Sequence, residues 1–172
     1  KNISIEYLDL NDVKNITVFI NTLINRHKDI PYLINNAGVN INQYINKIRY
    51  RELIQSFNIN SFSPLLIMQE LIQQMKKNNF GRIINLTSGA PLNCFKGFGC
   101  YSASKSALNA LTVTAAHEYS KYNIKINLMS PGPVKTEMAP DAPMDPSVCF
   151  PTMDYLLNLD DNGPTGKFFW LG

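Results

Sequence analysis

The chain of 172 residues is 45% hydrophobic and 17% charged, with a formal charge of +3, which predicts one soluble globular domain over residues 1–172. The Lys and Arg residues are scattered, which argues against a nucleic-acid stripe. No apolar run approaches the ~20 residues of a membrane span, and no signal-peptide pattern opens the chain.

Short β-rich runs alternate with longer helical patterns, the signature of βαβ units around a parallel sheet. Strands are expected at Ile3–Asp9, Ile30–Asn35, Arg82–Thr87, Ile124–Ser130 and Lys167–Leu171. Asn11–His27 sets Val13, Ile16, Ile20, Leu23 and Ile24 on one helical face, with Asn11 or Asp12 as N-cap. One long helix is predicted over Tyr50–Lys77, with Pro64 at a bend or start because proline removes a backbone donor. A third helix covers Tyr101–Lys121, a proline-rich loop Ser130–Met144, and a short helix Val148–Leu157. Three cysteines, Cys94, Cys100 and Cys149, lack metal-ligand spacing, so reduced thiols, a cytoplasmic setting and no metal site are expected. His27 and His117 read as surface residues.

Ligands of open parallel sheets sit outside the carboxyl ends of the strands. Asn35-Asn36-Ala37-Gly38, Ser88-Gly89 and Pro131-Gly132-Pro133 each follow a predicted strand. Tyr101 and Lys105, spaced i and i+4, share one helix face. An ammonium beside a phenol lowers the phenol pKa, and a phenol so tuned can exchange a proton with a carbonyl or an alcohol. Ser88 closes its strand thirteen residues before Tyr101, and its hydroxyl can donate to the same substrate oxygen. Asn60 is a polar residue in an otherwise apolar helical stretch.

In this order and spacing, the residues resemble the short-chain dehydrogenase/reductase family. The resemblance rests on Leu33-Ile34-Asn35-Asn36-Ala37-Gly38, on Asn60 followed by Pro64-Leu65, on Ser88, on Tyr101 with Lys105, and on Asn127 to Thr136 around Pro131-Gly132. The tail from Tyr155 to Phe169 looks like the carbonyl-reductase-like members. The fold implied is a Rossmann-type doubly wound parallel sheet with helices on both faces. The activity implied is hydride transfer between a nicotinamide cofactor, NADP ahead of NAD, and a carbonyl or alcohol substrate.

Carried onto this chain, the resemblance makes Tyr101 the general acid/base and gives Ser88 the substrate oxygen. Lys105 would lower the tyrosine pKa and hold the ribose, and Asn60 would fix a helix kink and a proton-carrying water. Tyr101, Lys105, Asp9, Leu10, Asn36, Ala37, Gly38, Pro131, Gly132, Val134 and Thr136 would contact the cofactor. Assembly into a homo-oligomer is implied as well, through the Tyr101 helix and the one bearing Asn60. The family's Thr-Gly-x-x-x-Gly-x-Gly loop has no counterpart here, so the chain is expected to be part of a longer protein with its N-terminal strands missing. The alternative is a catalytically inactive fragment that binds no dinucleotide by itself.

Overall fold

In the computed structural model, which describes residues 3–171, four strands make one sheet. All are parallel, in the order β1 (Tyr32–Asn35), β2 (Gly81–Leu86), β3 (Ile124–Ser130), β4 (Phe168–Trp170). Every residue of β2 and β3 is buried, the polar Arg82, Asn85, Lys125, Asn127 and Ser130 included, whereas β1 alternates as an edge strand does. The helices are α1 (Val13–His27), α2 (Tyr50–Phe57), α3 (Ser63–Asn78), α4 (Ala90–Asn93), α5 (Gly99–Glu118) and α6 (Phe150–Leu157).

Burial on both faces of the sheet explains the layering. Ile16 and Ile20 of α1, Ile67, Leu71 and Met75 of α3, and Ala116 of α5 pack with Ile83, Ile124 and Ile126 on one side. On the other, Leu156 of α6 packs with Ile84, Leu86, Met129 and Val134. At the amino end of β2, buried Arg82 donates to the carbonyls of Leu159 (2.9 and 2.5 Å), Gly81 (2.8 Å) and Asn123 (3.0 Å). It ties the strand to the segment after α6, far from the end where the candidate residues gather.

Two expectations need correction. Ile3–Asp9 has strand-like alternation but forms no strand: Ile3, Ile5 and Tyr7 are exposed, and only Leu8 and Leu10 reach the core. Alternation supplies a face, while a strand also needs a neighbour for its ladder, and none flanks this segment among the described residues. The single helix Tyr50–Lys77 is α2 and α3 joined by a π-helical turn, Asn58–Phe62. Pro64, in the first turn of α3, lacks the N–H that would close an α-helical bond onto the Asn60 carbonyl, and in the wider turn before it the Ser63 N–H donates to the Asn58 carbonyl. At α1, Asp12 holds the N-cap position, but its carboxylate accepts from the Asn15 side chain rather than from a backbone N–H.

Candidate active site

Because all four strands run parallel, their carboxyl ends lie on one side and bring the segments after Asn35, Leu86 and Ser130 together. α5 crosses behind β2 and β3 and carries Tyr101 and Lys105 to that end. Lys105 is 4% exposed. Its Nζ donates to the Leu86 carbonyl at 2.6 Å and lies 6.0 Å from the centre of the Tyr101 ring. Burial penalises the ammonium and pushes its pKa down to about 8.

The Tyr101 phenol stands beside Ser88. Burial raises the phenol pKa above its usual value, and the hydrogen bond with the Ser88 side chain offsets that rise in part. Ser88 Oγ also accepts from the Ala90 N–H at 3.1 Å, which fixes the turn after β2. Desolvation dominates, and the amine is bonded to a main-chain carbonyl.

Asn60, fully buried in the π-helical turn, is neither an N-cap nor a solvated position. Its Oδ1 accepts from the Val39 N–H (2.9 Å), and its Nδ2 donates to the Val39 carbonyl (2.9 Å) and to Ser104 Oγ (2.9 Å). Ser61 Oγ donates to the Ser104 carbonyl at 2.6 Å. The turn is thus bolted to the residue beside Lys105. Gly38 closes the group: a Cβ there would sit 3.1 Å from Asn60 Oδ1 and 3.5 Å from Lys105 Nζ. Gly38, Asn60, Ser88, Tyr101 and Lys105 make one cluster.

The remaining expected cofactor residues divide. Leu10, Asn36 and Ala37 line a cavity of about 330 Å³ between α1, α3 and the outer edge of β1. Asp9 is exposed and caps its own turn, accepting from the Asn11 N–H at 2.8 Å. Pro131 and Gly132 are half-buried at the end of β3. Gly132 has φ +70°, and a side chain there would collide with the Leu171 carbonyl. Val134 packs its side chain in the core, and its N–H donates to the Gly132 carbonyl. Thr136 is exposed and turned toward Ala139.

Sequence reasoning missed the polar brace behind the cluster. Asn85, buried in β2, accepts from Asn35 Nδ2 and donates to Thr112 Oγ1, both at 2.8 Å. Thr87 donates to Asn109 at 2.5 Å, one helical turn beyond Lys105. The available signal was an asparagine inside an apolar strand, since a buried amide must find partners. Cys100, next to Tyr101, is fully buried, and burial raises its thiol pKa, as suits a packing residue.

Residues 2–146 match the family model described as short chain dehydrogenase. The chain belongs to this family. It is 32% identical over 132 residues to trans-4-hydroxycyclohexanecarboxylate dehydrogenase of Sinomonas cyclohexanicum, covering 77% of this chain and 51% of that protein. L-xylulose reductase of Caenorhabditis elegans is 34% identical over 125 residues, covering 72% and 50%. The chain spans about half the length of these curated relatives. Among solved structures, ElxO with NADP bound superposes with a TM-score of 0.88 at 25% identity, over 98% of this chain and 76% of that one. The 4-hydroxyisoleucine dehydrogenase complexed with NADH gives 0.87 at 25% identity, over 95% and 76%. Among the described residues, no helix is long and apolar enough to cross a membrane.

Proposed function

We propose that this short-chain dehydrogenase, folded as one Rossmann-type domain, interconverts a carbonyl and an alcohol with a nicotinamide cofactor, with Tyr101 as general acid/base. The observation that carries this reading is the meeting of Ser88, Tyr101 and Lys105 at the carboxyl end of the sheet, with Asn60 and Gly38 packed behind Lys105.

A phenol held protonated by burial is a proton donor, the form that carbonyl reduction requires. In reduction, the Tyr101 O–H gives its proton to the substrate oxygen while Ser88 donates a second hydrogen bond to the same atom. The ammonium of Lys105 stabilises the phenolate left behind. With one N–H committed to Leu86, Lys105 keeps two donors for ribose hydroxyls. Asn60 holds the helix turn whose carbonyl, freed by Pro64, can bind a water that resupplies the proton.

The residues fit a dinucleotide. Gly38 lets the main chain approach Asn60 and Lys105 with no side chain between, Gly132 adopts the left-handed backbone at the end of β3, and Leu10, Asn36 and Ala37 line the cavity at the outer edge of β1. Leu10 and Asp9 would hold the adenine end, Asn36 to Gly38 the middle, and Pro131, Gly132, Val134 and Thr136 the nicotinamide end. When bound, the nicotinamide supplies or accepts the hydride, and the protein supplies position and electrostatics. NADP is favoured over NAD, the substrate is a small or medium carbonyl or alcohol, and the chain acts in the cytoplasm as a homo-oligomer.

A second reading keeps the catalytic side chains but binds no dinucleotide by itself. It draws on the outer edge of β1, where Tyr32 and Ile34 are exposed and no strand pairs among the described residues. Titration with NADPH, followed by nucleotide fluorescence, separates the two. Saturable binding, together with cyclohexanone reduction that Tyr101→Phe abolishes without altering the melting curve, supports the enzyme. Turnover retained in Tyr101→Phe removes the mechanism.

A further inference from the structure

We propose that Trp170 is the apolar wall of the substrate cleft and selects carbonyl and alcohol compounds with a ring or branched alkyl skeleton. The inference rests on the hydride-transfer reading of the same site.

Trp170 is the chain's single tryptophan and the last residue of β4, at the carboxyl end of the sheet. It pairs in register with Ser130, the last residue of β3. Successive side chains of a strand point to opposite faces. Phe169 takes the face where α6 packs and joins that core, while Phe168 and Trp170 share the other, their rings 4.5 Å apart and tilted by 32°. The indole does not continue into a core. Its edge rests on Gly89, the residue after Ser88: a Cβ at Gly89 would lie 2.9 Å from Trp170 Cζ3 and 3.2 Å from Cη2.

The next residue of the chain braces the other loop. Leu171 donates its N–H to the Ser130 carbonyl at 3.0 Å, and its own carbonyl packs against Gly132. The end of β4 therefore abuts both strand-end turns that the mechanism uses. Trp170 is nevertheless 43% exposed. A large, rigid aromatic surface is left open beside the serine that orients the substrate oxygen. Such a surface rewards an apolar skeleton and gives nothing to a polyol.

Since the chain has one tryptophan, its emission reads this wall directly. Cyclohexanol is expected to shift the emission saturably, and meso-erythritol is expected not to. Gly89→Val, which displaces the indole edge, should weaken the cyclohexanol midpoint about tenfold, the loss expected when one aromatic contact goes. In turnover, Trp170→Ala should raise the cyclohexanol KM about tenfold with kcat within about twofold, and Trp170→Phe should restore most of it.

A flat cyclohexanol titration, an unchanged midpoint in Gly89→Val, or a loss confined to kcat in Trp170→Ala overturns the wall. Quenching of the same emission by NADH tests the cofactor separately. NADH quenching without a cyclohexanol response overturns the wall and leaves the hydride reading standing. A saturable cyclohexanol response without NADH quenching or turnover sinks the hydride reading and with it the substrate selection assigned to Trp170.

Discussion

The Lys105 ammonium donates to the main-chain carbonyl of Leu86 over 2.6 Å, so α5 grips the last residue of the strand that leads into Ser88. Three polar groups line up behind this contact: Asn60 on one side, and Asn85 and Asn109 along the strand and helix below it. The cluster is thus positioned by main chain and amides rather than by opposing charge.

Stability should depend on pH through Lys105. Its pKa is about 8 in the folded chain and 10.5 when exposed. Between those values the unfolded chain binds more protons, so this residue adds stability as pH rises through the window. Below about 8 the full cost of burying the ammonium is present. Across the window the gain is on the order of a few kcal/mol. Urea unfolding of the parent and of Lys105→Met, measured at about pH 7 and about pH 10, should show the difference moving in the parent's favour at the higher pH. A pH-independent difference would argue that the amine is solvated.

Ultraviolet titration of the phenols isolates Tyr101 when the parent is compared with Tyr101→Phe. The difference should develop above the usual tyrosine range, because burial is the larger cause. Ser88→Ala removes the hydrogen bond that lowers the pKa, so it should move the Tyr101 transition higher still. A downward move would show that Ser88 does not stabilise the phenolate.

Gly38 tests the packing behind Lys105. With a Cβ placed 3.1 Å from Asn60 Oδ1, Gly38→Ala obliges a side chain held by three hydrogen bonds to give way by a few tenths of an ångström. Turnover should fall roughly tenfold, because small displacements at a reacting centre are costly. Folding stability should stay within about 1 kcal/mol of the parent, as the contact is with side chains only. Unaltered kcat/KM would mean that Asn60 and Lys105 are not held as tightly as described.

Removing Asn85 strands its partners. Asn85→Leu leaves Asn35 without its acceptor and Thr112 without one donor inside the sheet–helix layer, and should cost roughly 1–3 kcal/mol. Thermal or urea unfolding measures this, and a neutral effect would indicate that solvent reaches the brace.

The elements buried on both faces were legible from the chain. Ile83, Ile84 and Leu86 of β2 and Ile124, Ile126, Leu128 and Met129 of β3 mark strands of the sheet centre, although Arg82, Asn85, Lys125 and Asn127 interrupt the apolar runs, and α5 announces Tyr101 and Lys105 on one face by its 3.6-residue period. Ile3–Asp9 carries as good an alternation but has no partner strand among the described residues. The division of Tyr50–Lys77 was foreshadowed only by Pro64, which marks a bend without revealing a π-helical turn.

The sequence alone determined which residue types meet at the strand ends, because parallel strands deliver the segments after Asn35, Leu86 and Ser130 to one side whatever the details of packing. Tertiary structure decided the electrostatics. How far Lys105 and Tyr101 depart from their ordinary pKa values depends on the water removed around them and on which groups lie within hydrogen-bonding reach. Those neighbours, Leu86, Ser88, Asn60 and Gly38, come from separate parts of the chain and are set only when the layers close. The same holds for Trp170, whose contact with Gly89 joins residues that no local pattern connects.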